Sequence, residues 1–226
     1  MRIEPLGDSA CLVRIAGDFD PERSLDAVLR GLQQLEAAAI PGVIEFAPSY
    51  ATIGVFFDPS RIEDFDRLKA RIEIALQADA EASRKYEPRE LQVPVCYDEE
   101  FALDLDAVTK QTNLPPEEVV RRHAEAIYRV ACVGFTPGFP YLSGLPAELA
   151  TPRRASPRTE IPAGSIAIGG AQTGIYPGKS PGGWNIIGRT PLRLFDVERD
   201  PPALLRAGDR VSFRKISRQE FDAFRP

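Results

Sequence analysis

The sequence predicts two domains, an α+β two-layer sandwich over residues 1–83 and a mainly β barrel over residues 84–226. In the first, short apolar runs and two amphipathic helices follow one another in the order ββαββα, which favours helices packed on one face of an antiparallel sheet. A polar stretch at 81–90 separates this part from the rest of the chain. Beyond Ile127, short β runs alternate with glycine- and proline-rich connections, a pattern typical of closed or nearly closed barrels.

Four apolar runs are predicted to form the strands of the first domain. Ile3–Leu6 and Cys11–Ile15 flank a Gly-Asp-Ser turn, which indicates a hairpin. Val43–Phe46 and Thr52–Phe57 are typical of two further strands, and Pro41-Gly42 ends the helix that precedes them.

Two helices of the first domain are predicted from apolar spacing and from their start signals. Asp20-Pro21-Glu22 offers a cap, a first-turn proline and an early acid, so a helix begins there, and its apolar face runs from Leu25 to Leu35. Ser60 with Glu63 predicts a capping box ahead of the second helix. The apolar face of that helix uses Phe65, Leu68, Ile72 and Leu76.

The second domain is predicted to combine two short helices with many short strands. Leu91–Cys96 is typical of a strand, whereas Asp104–Thr112 and Pro116–Ala126 are typical of helices, the second ending near His123. Further strands are expected at Tyr128–Val133, Ile166–Ile168, Asn185–Gly188, Leu192–Phe195 and Arg210–Arg214.

Composition and charge argue against several classes of function. With 226 residues, a net charge of −5 and a pI near 5.1, the chain carries no electrostatic footprint for nucleic acid or an anionic membrane. No apolar stretch approaches the roughly 20 residues of a membrane span, and charges interrupt the N-terminal segment, unlike a signal peptide. Cys11, Cys96 and Cys132 lack metal-site spacing, and a single histidine excludes a multi-histidine centre. We therefore expect a cytoplasmic protein with reduced core thiols and no metal ligand set in this chain.

Three glycine-rich stretches of the second domain are candidates for a ligand site: GFTPGFPYLSGLP at 134–146, TPRRASPRTEIPAGSIAIGGAQTGIYP at 151–177 and SPGGWNIIGRTP at 180–191. In the first stretch, Pro137 and Pro140 exclude a helix and disfavour a central strand. The rings of Phe135, Phe139 and Tyr141 gain free energy only when they are buried. We therefore expect a rigid loop that is packed by its own rings.

Together the three stretches supply donors that suit a small planar anion. Glycine lets a backbone N–H approach a ligand closely, and arginine presents a fixed fork to a carboxylate or phosphate. The polar candidates are Thr136, Arg153, Arg154, Arg158, Ser165, Gln172, Thr173, Tyr176, Ser180 and Arg189. The alternative is that glycine and proline serve only the turns of a barrel and that the arginines at its rim are merely solvated.

Three individual residues also leave alternatives open. His123 is the single histidine, and it is either a hydrogen-bonding residue or a proton-transfer group. Trp184 follows Gly182-Gly183 and either meets a flat ligand or plugs the end of the barrel. Lys179 lies in GIYPGKSPGG, which lacks the GxxxxGK[ST] frame, so a P-loop is excluded.

Three long runs carry a resemblance to a known family: VVRRHAEAIYRVACVGFTPGFPYLSGLP, TPRRASPRTEIPAGSIAIGGAQTGIYP and SPGGWNIIGRTPLRLFD. They resemble the 5-oxoprolinase B-subunit family, also called sporulation kinase inhibitor KipI or allophanate hydrolase subunit 1. The resemblance implies a cyclophilin-like barrel for the second domain. It also implies a complex that hydrolyses 5-oxoproline to L-glutamate with ATP. In that complex the chain would act with a larger barrel protein of the C-subunit type and a third protein of the A-subunit type.

The resemblance implies roles for the candidate residues. Arg153, Arg158 or Arg189 would hold the carboxylate of 5-oxoproline or a phosphoryl oxygen, and backbone N–H groups of the glycines would stabilise developing negative charge. We expect His123 and Arg189 to be catalytic. The expected substrate-binding residues are Gly134, Phe135, Thr136, Pro137, Gly138, Phe139, Tyr141, Arg153, Arg158, Gln172, Thr173, Tyr176, Ser180, Gly182, Gly183 and Trp184.

Two other functions compete with this one. The first is a regulatory protein that docks on a sensor histidine kinase and inhibits it. The second is a carboxyltransferase half-domain that acts on urea with biotin. The sequence also leaves open whether ATP is bound by this chain, by a partner protein or at a shared site, and we expect the chain to be inactive alone.

Overall fold

The computed structural model describes residues 1–15, 21–78 and 88–224. The chain divides into two compact units, Met1–Glu87 and Pro88–Pro226. The protein is of the mixed α/β type, with extensive antiparallel strand pairing and few helices among the described residues. None of the described helices has both the length and the apolar character that crossing a membrane requires.

The first unit alternates pairs of strands with single helices. In chain order its elements are β1 (Arg2–Pro5), β2 (Ala10–Arg14), α1 (Pro21–Ala38), β3 (Val43–Ser49), β4 (Thr52–Phe57) and α2 (Phe65–Gln77). The strands lie in the order β1-β2-β4-β3, and each neighbouring pair is antiparallel. Asp20, the predicted cap of α1, lies outside the described residues.

One hydrophobic core holds the helices and the sheet of this unit together. Each helix turns one apolar face toward this core, and the strands direct alternate side chains toward it, as their spacing predicts. Its fully buried members include Val28 and Leu35 of α1, Leu68 and Ile72 of α2, and Val13, Ile53 and Val55 of the sheet.

Helix α2 begins at a different signal from the predicted capping box, and that prediction was wrong. The N-cap is Asp64, whose carboxylate accepts a hydrogen bond from the backbone N–H of Arg67 at 2.8 Å. Ser60 instead lies in a short 3-10 helix, where its N–H and its hydroxyl both donate to Asp58, at 2.9 and 2.7 Å. Asp58 therefore takes the donors of Ser60, and Asp64, directly before α2, is the better-placed cap.

The second unit contains nine strands and three α-helices among its described residues. In chain order they are β5 (Glu90–Val95), α3 (Leu105–Thr112), α4 (Pro116–Glu125), β6 (Ile127–Val133), β7 (Pro140–Ser143), β8 (Arg158–Ile161), β9 (Ser165–Gly169), β10 (Gln172–Ile175), β11 (Ser180–Gly182), β12 (Asn185–Arg189), β13 (Arg210–Lys215) and α5 (Arg218–Ala223). Its main core includes Val95, Val130, Leu142, Ile168 and Ile187.

The strands of the second unit follow the order β5-β13-β6-β7-β10-β9-β12, with β8 and β11 paired separately. Only β5 and β13 of this path run parallel, and the other neighbours are antiparallel. Directly after β5, Cys96 exchanges two backbone hydrogen bonds with Arg189 at the end of β12, both 2.9 Å long. The first and last strands of the order are therefore joined to each other.

The segment Leu192–Phe195 does not form the predicted strand. Leu194 is fully buried, and its carbonyl accepts a hydrogen bond from Leu204, but the pairing ends in an isolated bridge between Phe195 and Ala203. The facing segment contains Pro201 and Pro202, which have no N–H to donate, so a ladder cannot continue there. The apolar run reflects burial rather than strand pairing.

Candidate binding site

Five aromatic side chains from the three glycine-rich stretches meet in the second unit, and we call them the aromatic cluster: Phe135, Phe139, Tyr141, Tyr176 and Trp184. Phe139 lies at the centre, with ring-centroid distances to the other four between 4.9 and 5.7 Å. All four pairs are edge-on, the geometry that aromatic quadrupoles favour. Segments that are far apart in the sequence therefore converge on one packed group of rings.

The loop 134–139 presents two phenylalanines in opposite ways. The N–H of Phe139 donates to Thr136, and the N–H of Gly134 donates to Phe139, so the loop closes on itself. Phe139 is 2% exposed, whereas Phe135 is 62% exposed and has a positive φ of 70°. A left-handed backbone is strained for a phenylalanine, and such strain is concentrated at functional sites.

Three glycines admit the rings of the cluster rather than a ligand. A Cβ on Gly169, Gly174 or Gly182 would lie less than 3.0 Å from Trp184, Phe139 or Tyr176, respectively. The prediction that Gly182 contacts substrate is therefore replaced by a packing role. Gly134 is also committed, because its N–H donates to Phe139, so it does not serve as a donor to developing negative charge.

Arg153 brings a positive charge to the cluster. Its guanidinium lies 5.7 Å from the centroid of the Trp184 ring, and the residue is exposed. Burial raises the pKa of the Tyr141 and Tyr176 hydroxyls, and the nearby charge of Arg153 opposes that rise. Over the described ranges, Arg153 forms neither an ion pair nor a hydrogen bond, so its guanidinium donors are free for a ligand.

Arg158 is not placed to hold a substrate carboxylate, contrary to the prediction. Its guanidinium forms a two-point ion pair with Asp104, with N–O distances of 2.6 and 2.9 Å. Arg154 donates to the same carboxylate. Asp104 is buried, so both arginines are committed to an acid of their own chain.

Arg189 lies at the other end of β12 from Trp184. The two residues are five positions apart, which corresponds to roughly 16 Å, since a strand rises about 3.3 Å per residue. The Nε of Arg189 donates to the carbonyl of Ala163 at 2.8 Å, and its guanidinium lies 5.7 Å from the ring centroid of Phe101. The structure therefore does not bring Arg189 to the aromatic cluster, and its predicted catalytic role is not supported.

His123 is fully buried in the core, so its ring nitrogens cannot reach a substrate, which argues against a role in proton transfer. It is 0% exposed, its Nε2 lies 2.9 Å from the Thr173 hydroxyl and its Nδ1 lies 2.9 Å from the Tyr97 hydroxyl. Its ring stacks on Phe213 at 4.8 Å. Burial lowers the pKa of His123 to about 3, so the ring is neutral at neutral pH.

The hydrogen bonds around His123 also fix its tautomer. The Thr173 hydroxyl donates its one proton to the carbonyl of Ala167 at 3.0 Å, so it accepts from Nε2–H of His123. Nδ1 then accepts from the Tyr97 hydroxyl. Thr173 is fully buried in this network and does not reach a ligand, contrary to the prediction.

The other predicted site residues are distributed around the cluster. Gln172 is half-buried and engaged in an interaction of its own, and Pro137 is exposed. The hydroxyl oxygens of Thr136 and Ser180 are buried without a hydrogen-bond partner among the described residues. The letters GKSPG match a GxSxG frame, but Ser180 begins β11 instead of a strand-to-helix turn, and His123 is committed elsewhere.

Gly138 and Gly183 have roles in the backbone of the site. Gly138 has a φ of +81°, and a Cβ there would overlap with Phe195, so no other residue suits this turn. The carbonyl of Gly183 accepts a hydrogen bond from the backbone N–H of Arg154 at 2.8 Å. This hydrogen bond joins the segment that carries Arg153 to Gly183, the residue directly before Trp184.

Sequence reasoning missed two residues that shape the site, Asp104 and Asn185. Asn185 is buried and donates from Nδ2 to the carbonyls of Pro152 and Ile168 at 2.9 and 3.3 Å. An aspartate directly before a helix indicates only a cap, and nothing local indicates its ion pairs across the chain. No cluster of three or more metal-ligating side chains occurs in the described part of the chain.

The chain matches a family model and named relatives over most of its length. The model described as carboxyltransferase domain, subdomain C and D, matches residues 1–205. A protein of Bacillus subtilis (strain 168) that is named as the B subunit of 5-oxoprolinase is 42% identical, over 99% of this chain and 96% of its own. The protein of that name from Haemophilus influenzae is 43% identical, over 94% of this chain and 97% of its own.

Solved structures show a similar fold. The protein TTHA0988 superimposes with a TM-score of 0.80 at 35% identity, over 92% of this chain, which spans 40% of that protein. The urea amidolyase of K. lactis superimposes with a TM-score of 0.77 at 21% identity, over 98% of this chain and 15% of its own, which shows the fold alone. From its match to the family model and its 42–44% identity to three relatives of that name, the chain belongs to the 5-oxoprolinase B-subunit family.

Proposed function

We propose that this chain is one component of an ATP-dependent 5-oxoprolinase that hydrolyses 5-oxoproline to L-glutamate. Its relatives named as B subunits of 5-oxoprolinase are 42–44% identical to it over most of the chain. The name implies other subunits, and we propose two partners, a larger barrel protein of the C-subunit type and a third protein of the A-subunit type. Three free, buried cysteines are in keeping with a cytoplasmic location.

The observation that carries this proposal is the position of Arg153 over Trp184. Of the four arginines in the glycine-rich stretches, three are engaged within the chain. Arg153 keeps its guanidinium free over the ring of Trp184. 5-Oxoproline is a five-membered lactam with one carboxylate, so it matches one free guanidinium beside the aromatic cluster, whose accessible rings are Phe135 and Tyr141.

Tyr141 supplies the second part of the recognition. Tyr176 is 2% exposed and packs within the aromatic cluster, so the predicted contact of Tyr176 with substrate is replaced by a packing role. Because burial raises the pKa of Tyr141, its hydroxyl stays protonated at neutral pH. A protonated hydroxyl can donate to the carbonyl oxygen of the lactam while Arg153 holds its carboxylate. The chain would thereby bind and orient the amide, and the remaining catalytic groups would come from the partner proteins.

The same charge distribution bears on ATP. A triphosphate needs several positive charges, whereas the cluster offers one free guanidinium. We therefore place the ATP site on a partner protein.

The bonds between Cys96 and Arg189 support a closed, cyclophilin-like barrel, since they join the two ends of the strand order.

Arg153→Ala tests the proposal in the reconstituted complex of three subunits, with glutamate release from 5-oxoproline as the readout. We expect the KM for 5-oxoproline to rise at least tenfold, because a charged hydrogen bond to the carboxylate is lost. Arg193→Ala is the matched control, since Arg193 is an exposed arginine of the same unit that pairs with Asp196. An unchanged KM in Arg153→Ala would refute the carboxylate role, and unchanged glutamate release without this chain would refute its membership.

The competing functions receive less support. A urea amidolyase of Lachancea kluyveri is 38% identical over 30% of this chain and 4% of its own length, which is too little to transfer a reaction with urea and biotin. Inhibition of a sensor histidine kinase stays a prediction. An in vitro kinase assay with this chain alone would test it.

A further inference from the structure

We propose that Asp104 is a positioning residue for the substrate site: through Arg154 and Arg158 it holds Arg153 over Trp184. The inference rests on the proposed function, in which Arg153 binds the substrate carboxylate. Asp104 lies directly before α3 and makes no side-chain cap to that helix. Its carboxylate is therefore used elsewhere.

The carboxylate of Asp104 is shared between two parts of the site. It accepts from Arg154, from both terminal nitrogens of Arg158 at 2.6 and 2.9 Å, and from the backbone N–H of Ile186 at 2.8 Å. The N–H of Asp104 donates back to the carbonyl of Ile186 at 2.8 Å. Ile186 follows Trp184 by two residues and packs in the same small core. Asp104 thus ties two arginines of one segment to the strand that follows the tryptophan.

The segment that carries Arg153 is fixed on both sides of that residue. Before it, Thr151 exchanges two backbone hydrogen bonds with Gly170, at 2.8 and 3.1 Å. After it, the backbone N–H of Arg154 donates to Gly183. Asp104 adds the side-chain anchor of Arg154, so Arg153 is the one arginine of this segment whose guanidinium projects freely.

Asp104 also controls how many positive charges a ligand meets. Three arginines, at 153, 154 and 158, lie within six residues of one another. The buried carboxylate engages two of them and leaves one, which matches a ligand with a single carboxylate. Without that charge, Arg154 and Arg158 would be released, and the free guanidinium groups would compete with Arg153 for the same anion.

Asp104→Asn tests the inference, with Asp106→Asn as the matched control because Asp106 is an exposed acid two residues along the same segment. In the reconstituted complex we expect Asp104→Asn to raise the KM for 5-oxoproline about fivefold and to change kcat less than twofold. Trp184 is the single tryptophan of the chain, so its fluorescence reports on the surroundings of the ring over which Arg153 lies. We expect its emission to shift in Asp104→Asn of the isolated chain and not in Asp106→Asn.

A double-variant cycle separates positioning from a general structural effect. If Asp104 acts through Arg153, Asp104→Asn should add no further rise in KM to Arg153→Ala. A full multiplicative rise in the double variant would overturn the inference. An unchanged Trp184 emission in Asp104→Asn would also overturn it, whatever the KM of Arg153→Ala shows about the proposed function.

A milder variant covers the case in which Asp104→Asn does not fold. Arg154→Gln removes one of the two arginine anchors and leaves the pair of Arg158 and Asp104 in place. We expect a twofold to threefold rise in KM and a smaller shift in Trp184 emission. A folded Arg154→Gln chain with the KM and emission of the unmodified protein would contradict the inference.

Discussion

The His123 network and the aromatic cluster both combine polar groups with rings, but they differ in what is left unpaired. Around His123, the hydroxyls of Tyr97 and Thr173 engage both ring nitrogens, and the histidine is fully buried. In the cluster, Arg153 and Phe135 are exposed, and the guanidinium of Arg153 is free in the described structure. The presence of a histidine, a residue type that is common in catalysis, therefore does not by itself identify a ligand site. A better indicator is an accessible hydrogen-bond donor, such as the guanidinium of Arg153, that has no partner within the fold.

The largest expected effect is on stability, from His123→Ala. The substitution leaves a cavity and removes the partners of two buried hydroxyls, so the free energy of unfolding should fall by roughly 3 kcal/mol. Turnover per folded molecule in the reconstituted complex should stay within twofold of the unmodified protein. Denaturant unfolding followed by the fluorescence of Trp184 measures the first quantity. A tenfold loss of turnover with unchanged stability would instead return His123 to the mechanism.

Gly169→Ala should disturb the aromatic cluster, with a smaller loss of stability than His123→Ala. A Cβ at this position would overlap with the ring of Trp184, so the ring must move, and we expect a loss of about 2 kcal/mol in stability. The emission of Trp184 should shift as well, and the KM for 5-oxoproline should rise. Gly178→Ala is the control, because a Cβ there meets nothing within 4 Å and the backbone has no positive φ. Equal effects of the two substitutions would contradict the packing described for the cluster.

The buried His123 should make the free energy of unfolding depend on pH, with a loss of about 1 kcal/mol between pH 7 and 5.5. The aromatic cluster contributes no such loss. An unfolded histidine takes up a proton as the pH falls through about 6.5, whereas the folded one, with its pKa lowered to about 3, does not. The unfolded state therefore binds more protons in this window, and stability falls as the pH is lowered from 7 to 5.5.

His123→Gln is the variant that checks this assignment. It should lack the loss of stability between pH 7 and 5.5, because the chain contains one histidine and carboxylates titrate mainly below this range. Unfolding free energies at the two pH values, followed at Trp184, give the measurement. A slope that persists in His123→Gln would assign the titration to another group.

The sequence predicts the parts of this molecule that depend on local patterns. The strands Thr52–Phe57 and Asn185–Arg189 and the helix Pro116–Glu125 follow from apolar spacing and turn residues, and they agree with prediction to within a residue or two. Leu192–Phe195 shows the limit of such patterns: whether an apolar run becomes a strand depends on the donors of its neighbour, which the run itself does not contain.

The site shows the same limit more strongly. The composition of the stretch 134–146 predicts a rigid loop packed by its own rings. Phe139 is buried as expected, but Phe135 is mainly exposed, and Pro140–Ser143 forms strand β7 between β6 and β10, which the prolines had been expected to disfavour. The ion pairs of Asp104 join residues that are 50 and 54 positions apart. No spacing rule connects them, so the sequence could not show which of its arginines remains free. That choice is made by tertiary contacts.

Phe135→Asn should have the smallest effect on stability and still affect the site. Asparagine tolerates the left-handed backbone at φ +70° better than phenylalanine, while the edge-on contact with Phe139 at 5.7 Å is lost. Each contribution is about 1 kcal/mol and they oppose each other, so stability should change by less than about 1 kcal/mol. The KM for 5-oxoproline in the complex should nevertheless rise about threefold, because the exposed ring forms part of the wall that a flat ligand would contact. Val197→Asn, an exposed apolar residue of the same unit, should change neither quantity. If Phe135→Asn stabilises the protein and leaves the KM unchanged, the strained ring has no role in binding, and the wall of the site ends at Phe139.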